Sequence, residues 1–172
     1  MMRAHKGMRP QDIVILLKLV ALGNKPWTYR SLAADLYMSV SEVAESLNRS
    51  ALARLYNDTS KKVNRLTFME FIQYGFSHVF PQIPGNDAAG IATAHGHPFY
   101  KERIISNNSF VWPNPGGKDS GPAVMPLHKG VPLAVQTDEL LYKLLAEADI
   151  LRFGRAREKN LAIEELKKEI LS

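Results

Sequence analysis

Cysteine is absent from the sequence. Disulfides and thiolate-ligated metals are thereby excluded, and a reducing cytoplasm is the expected location. Long apolar runs are also missing. The longest extends from Ile13 to Leu17 and resumes from Leu19 to Leu22 after Lys18, far short of the ~20 residues that span a bilayer, so no membrane partner is expected. Arg3, Lys6 and Arg9 precede this stretch and imitate the basic start of a secretory signal. Asn24-Lys25-Pro26 follows it in place of a small-residue cleavage site, so the stretch reads as a core helix. Motifs of catalysis are lacking as well: there is no nucleophile elbow, phosphate-binding loop or zinc-protease signature. Gly116-Gly117-Lys118 reads as a turn. The expectation is a protein that is not an enzyme, with no cofactor and no metal.

Proline and net charge are each scarce in one part of the chain. Eight of the ten prolines lie between residues 81 and 136, where they forbid long helices. Residues 81–172 hold 11 Lys and Arg against 11 Asp and Glu, whereas residues 1–80 hold 11 against 6, so the net charge of +5 belongs to the first half. A basic half suits a phosphate-binding surface. Three regions follow from these shifts. Residues 9–80 carry helical periodicity. Residues 81–136 form a proline- and glycine-rich extended region, with short strands expected at Ser109–Trp112 and Val131–Val135. Residues 137–172 return to helix and serve packing or dimerisation. The fold class is mainly α, a winged helix-turn-helix with an extended middle and C-terminal helices.

Individual elements have local signals. Pro10 opens a helix that Gly23 and Asn24 stop near Leu22. Its apolar positions surround the axis, which predicts burial in the core or at a dimer interface. Thr28 caps a short helix from Tyr29 to Tyr37. Met38 and Ser39 make a tight turn. Ser39 or Ser41 caps a second helix through about Arg49, with Val40, Val43 and Leu47 inward. Two short helices joined in this way form the unit whose second helix enters the DNA major groove. Its outward positions read as Ser41, Glu42, Glu45, Ser46, Asn48 and Arg49, side chains able to bond base edges or phosphates. Thr28, Tyr29, Arg30 and Ser39 flank it. After Ala53 come a short strand, an Asn57-Asp58 turn and a basic segment in which Lys61, Lys62 and Arg65 are candidate phosphate contacts of a wing. An amphipathic helix from Leu66 to His78 follows. Near the end, Thr137 caps a helix from Asp138 to Phe153, and a last helix runs from Arg155 to Leu171. Arg152, Arg155, Arg157 and Lys159 read as a solvated helix start.

The pattern Leu32-Ala33-x-x-Leu36-x-Met38-Ser39-x-Ser41-Glu42-Val43-x-x-Ser46-Leu47 resembles the winged helix-turn-helix of bacterial transcription regulators, the MarR-like group among them. The resemblance covers about residues 10–66. It implies a cytoplasmic, homodimeric repressor or activator that binds double-stranded DNA. MarR-like proteins continue directly into long dimerisation helices, whereas this chain inserts its proline-rich region first. The stretch from Glu70 to Pro81 is similar to a segment of bacterial helix-turn-helix proteins without assigned function, and adds no chemistry. Two other classes of function fit parts of the sequence. One is a protein-interaction module, such as the antitoxin or adaptor of a two-gene system, whose middle region wraps a protein partner and whose DNA binding is autoregulatory. The other is a metal enzyme built on His95, His97, His128 and Asp119. His95 and His97 share one side of an extended strand.

Overall fold

A computed structural model describes residues 7–172; Arg3 and Lys6 of the basic start lie outside the described residues. The chain is mixed, 55% helical with small antiparallel sheets, and no helix among the described residues is long and apolar enough to cross a membrane.

Helix α1 (Pro10–Leu22) is the centre of the packing. Every residue from Asp12 to Val20 is buried, and the cover comes from within the same chain. Burying each of its Ile, Leu and Val side chains contributes about 1.5–3 kcal/mol. Gly23 adopts φ 60° to end it, and its N–H is donated back to Leu19 and Val20. Two charged residues are buried with the apolar ones. Asp12 accepts both Arg49 Nε at 2.9 Å and Nη2 at 2.7 Å, and a third bond from the Arg9 N–H at 2.8 Å. Lys18 reaches Asp138 at 2.8 Å and Asp35 at 3.4 Å.

Helices α2 (Tyr29–Leu36) and α3 (Val40–Leu52) are joined by a tight turn. Thr28 caps α2 by accepting the Ser31 N–H at 3.0 Å. The left-handed residue of the turn is Tyr37, at φ 56°, one position before the expected Met38. Ser39, not Ser41, caps α3, because Glu42 three residues on completes a reciprocal capping pair: Ser39 Oγ accepts the Glu42 N–H and Glu42 Oε2 accepts the Ser39 N–H. Val43, Ser46, Leu47 and Ser50 are the buried side of α3. Val40, expected inside, is 46% exposed because the first turn overhangs the core.

Strands β1 (Tyr56–Asn57) and β2 (Lys62–Val63) form an antiparallel hairpin, Tyr56 opposite Val63. Asn57 Oδ1 accepts the Ser60 N–H and so closes the turn. The single helix expected from Leu66 to His78 is two, α4 (Arg65–Tyr74) and α5 (Phe76–Val79). Gly75 divides them: a Cβ there would lie 3.1 Å from the Phe71 ring.

The middle region departs most from expectation. It holds a three-stranded antiparallel sheet in the order β4-β3-β5, made of β3 (Asp87–Thr93), β4 (Phe110–Pro113) and β5 (Asp119–Pro122), with short helix α6 (Pro98–Lys101) between β3 and β4. The central strand contains Ala88-Ala89-Gly90, residues of low strand preference. Gly90 is required where the strands meet, since a Cβ would lie 1.9 Å from the Trp112 carbonyl oxygen. Val131–Val135 is not a strand. Residues Val131–Ala134 form helix α7 and Val135–Thr137 a 3-10 turn, with Pro132 in the first turn where proline is tolerated.

Helices α8 (Glu139–Phe153) and α9 (Ala156–Ile170) close the fold. Asp138, not Thr137, caps α8, accepting the Leu141 N–H at 2.9 Å. Asp149 on α8 is fully buried and holds the sheet, accepting Thr93 Oγ1 at 2.8 Å and Trp112 Nε1 at 2.9 Å. One apolar cluster runs from α1 through α3, α4, α8 and α9, α1 touching α3, α8 and α9, and α7 touching α2.

The Asp12–Arg49 pair generates a prediction. Removing one partner of a buried ion pair leaves the other charge uncompensated, at about 3–5 kcal/mol. Arg49→Ala should lower the unfolding free energy by about that amount in urea denaturation, whereas exposed Asn48→Ala should stay within about 0.5 kcal/mol. A small loss for Arg49→Ala would deny the pair its structural role.

Candidate nucleic-acid interface

The start of α2 and the β1–β2 hairpin lie side by side. Tyr29 stacks on Trp27 with ring centres 6.0 Å apart and 12° between planes. Buried Tyr56 on β1 has its phenol pushed up to about 12 by burial and by the proximity of Tyr29 and Asp58. A cavity of about 380 Å³ is lined by Trp27, Asn24, Lys61 and Lys62 among others. Arg30, Lys61 and Lys62 are exposed, and none of them makes an ion pair among the described residues. Lys61 stands at φ 55°, the turn position that projects the hairpin tip outward. Three exposed cations thus stand on the start of α2 and on the hairpin without a close ion pair, and Glu169 lines the same cavity as Lys61 and Lys62.

The outward strip of α3 consists of Ser41, Glu45 and Asn48, with Val40 and 70%-exposed Leu52 at its ends. Thr28 and Ser39 are exposed but engaged as helix caps. Glu42 is half-buried and serves the cap of α3; the Ser39 N–H holds its carboxyl below the usual range against the opposing effect of burial, with His128 adding to the lowering.

Three expected contacts are placed elsewhere by the fold. Ser46 is fully buried, because it shares the inward stripe with Val43, Leu47 and Ser50. Arg49 is turned inward onto Asp12, and this hydrogen bonding raises its pKa despite partial burial. Arg65 Nη1 donates to the Glu169 and Ile170 carbonyl oxygens at 3.1 and 3.0 Å, so it satisfies the end of α9. Conversely, Trp27 and Asn24 join the cavity although they belong to none of the sequence-predicted site residues. Their signal in the sequence is an aromatic residue close to Lys25, immediately before a capped helix.

Residues His128 to Gly130 approach the first turn of α3. His128 Nε2 lies 3.7 Å from Glu42 Oε1, and its Nδ1 accepts the Gly130 N–H at 3.0 Å. Gly130 sits against the end of α2, where a Cβ would be 2.3 Å from the Leu36 carbonyl oxygen. Burial lowers the His128 pKa, with Glu42 opposing. No sequence signal marks this approach, since it joins residues far apart in the chain.

The histidines considered for a metal do not converge. His95 is bonded to Glu158, His97 packs edge-on against Tyr142 at 4.3 Å, and His128 faces Glu42. Among the described residues no group of three His, Asp or Glu side chains is placed to hold a metal ion. Asp119 lies apart on β5.

No protein-family model, no curated protein and no solved structure matches the chain.

His97 gives a pH prediction. Burial, and then neighbouring Lys143, push its pKa from 6.5 down to about 4, and its Nδ1 accepts the Phe99 N–H at 3.2 Å. The folded chain thus binds fewer protons here than the unfolded one. This contribution to stability is present above pH 6.5 and is lost as pH falls toward 4. His97→Gln should therefore lose less stability than the parent across that window, read as the difference in unfolding midpoint between pH 7 and pH 4. Parallel loss in both chains would reject the assignment.

Proposed function

We propose that the chain binds double-stranded DNA as a winged helix-turn-helix protein acting in transcriptional control. The observation that carries this reading is the set Arg30, Lys61 and Lys62, exposed and without an ion pair among the described residues, on the first turn of α2 and on the hairpin. Charges so placed suit the two phosphate backbones that border a major groove. In this reading the hairpin is the wing, and Lys61 and Lys62 contact phosphates. Ser41, Glu45 and Asn48 face base edges: Asn48 suits adenine, and Glu45 accepts from cytosine. Arg49 and Ser46 take no part. The His128–Gly130 segment stands over the first turn of α3, so the middle of the helix rather than its tip meets the groove. Thr28 and Tyr29 orient the start of α2. The reading includes a homodimer in the cytoplasm, because two half-sites multiply the affinity of a short wing and a small basic excess.

Val40 and Leu52 favour a second reading, an interaction module of the antitoxin or adaptor kind. Both are apolar and exposed on α3 itself, where a protein partner gains more from them than a phosphate backbone does. The proline-rich region does not supply the wrapping strap expected for that role, since it is folded into the three-stranded sheet.

Fluorescence anisotropy with the DNA upstream of the coding sequence, against a scrambled duplex and across a salt series, separates the two. The DNA reading expects tighter binding to the upstream duplex. Lys61→Ala with Lys62→Ala should weaken binding to all duplexes and reduce the slope of log K against log salt by about 2, roughly 0.9 for each phosphate no longer neutralised. Asn48→Ala should cost about 1–3 kcal/mol of discrimination and leave the slope unchanged. Equal, weak binding to both duplexes would sink the DNA reading and favour the interaction module.

A further inference from the structure

On the opposite half of the molecule, two adjoining cavities of about 630 and 320 Å³ share Ile105, Arg155 and Glu158. The larger is walled by Ile104, Ile105 and Leu161 beneath Arg103 and Arg157. The smaller is walled by His95, Phe110 and Phe153, with Ser106, Asn107 and Asn108 on its other side. Together they offer an apolar lobe, a polar lobe and a basic mouth, at a size that takes a small molecule.

His95 marks the polar lobe as more than a surface dent. It is only 6% exposed, and its Nε2 lies 2.9 Å from Glu158 Oε1. Burial pushes the Glu158 carboxyl up, but the bonds from His95 and from the Arg155 N–H outweigh this and hold it below its ordinary range. With Nε2 engaged by Glu158, Nδ1 is the remaining polar atom of the ring. That Nδ1 is buried and has no partner among the described residues. Buried polar atoms of this kind are ordinarily satisfied by protein, water or ligand. The residue before it, Ala94, is fully buried and held at φ 51°, a left-handed conformation that an alanine adopts only when its surroundings impose it.

The mouth carries three arginines, Arg103, Arg155 and Arg157, against one carboxylate, Glu158, in the lining. Arg155 and Arg157 are exposed and make no ion pair among the described residues. Arg103 is fixed in place, its guanidinium 3.8 Å above the Phe99 ring and Nη1 donating to the Phe99 carbonyl oxygen at 2.7 Å. Guanidinium groups match the oxygens of carboxylate and phosphate in pairs. The start of α9 lies at the same mouth and adds its positive dipole end.

The geometry points to a binding site here for a small organic anion: a carboxylate or phosphate held by Arg155 and Arg157, joined to a compact apolar body seated on Ile105 and Leu161. The site stands on its own observations and does not depend on the DNA-binding reading.

Calorimetric titration of the full chain tests it with four probes: phenyl phosphate, benzoate, inorganic phosphate and benzyl alcohol. Saturable one-to-one binding of an aromatic anion is expected, with a dissociation constant on the order of 0.1 mM. Tighter binding of phenyl phosphate or of benzoate identifies the acid group, and either supports the site. Amide resonances of residues 103–108 and 155–161 should shift with the same saturation. The double variant Arg155→Ala, Arg157→Ala changes only exposed side chains and should keep its melting temperature while binding at least tenfold more weakly. Ile105→Asp, which sets a negative charge at the mouth, should do the same. No binding of either aromatic anion up to about 10 mM would overturn the proposal. So would affinity that is indifferent to the arginines, or benzyl alcohol or inorganic phosphate binding as well as the aromatic anions.

Discussion

Everything in this chain is arranged around a helix with no free face. From Asp12 to Val20, α1 is buried on all sides, so its stability depends on being enclosed by α3 and the hairpin on one flank and by α8 and α9 on the other. Apolar burial alone would tolerate rotation or slippage of the helix. Asp12 and Lys18 do not tolerate it. A buried charge costs several kcal/mol unless paired in good geometry, and Asp12 finds its pair on α3 while Lys18 finds its pair at the cap of α8. The Asp12–Arg49 pair thereby sets the register of α1 against α3, and the Lys18–Asp138 pair sets it against the second half of the chain.

That constraint redistributes charge on the surface. Lys18, Arg49 and Arg65 belong to the basic excess of the first half, yet all three are engaged within the fold. Among the exposed cations Lys25 and Arg30 stand before and in the first turn of α2, Lys61 and Lys62 on the hairpin, and Arg9 and Arg54 elsewhere, while α3 presents a strip that is uncharged or acidic. A DNA-binding reading consequently rests on the backbone-positioning elements more than on the helix that would read bases. The His128–Gly130 segment acts in the same direction, since it stands over the helix end that would otherwise lead.

The second half follows another logic. Helix α8 buries Glu147 and Asp149 along with its leucines. Asp149 holds two strands of the sheet through Oδ2, while its Oδ1 accepts from Arg152 Nη1 at 3.2 Å. Glu147 accepts Tyr100 Oη at 2.8 Å and Lys143 Nζ at 3.0 Å, and burial still pushes its carboxyl up to about 7. These bonds anchor an irregular, proline-broken segment that has too little strand propensity to hold itself. Ile104 packs against the core, and the rest of the loop to Asn108 faces the start of α9 across the two-lobed cleft.

Local chemistry was legible in the sequence by itself. Pro10 and Gly23 bounded α1; Thr28 announced α2, and a serine at 39 or 41 announced α3. Each signal acts within one or two turns of backbone, where caps, proline and glycine have direct steric or hydrogen-bonding effects. The tertiary structure alone decided the rest. Arg49 reads as a solvent-facing cation until Asp12, 37 positions earlier, is folded against it. Asp87–Thr93 carries weak strand propensity and becomes a central strand because β4 and β5 pair with it on both edges. Val131–Val135 reads as a short strand, and packing against α2 makes Val131–Ala134 helical instead. Charge pairing, strand pairing and burial depend on which distant residues arrive, and no local pattern encodes that arrival.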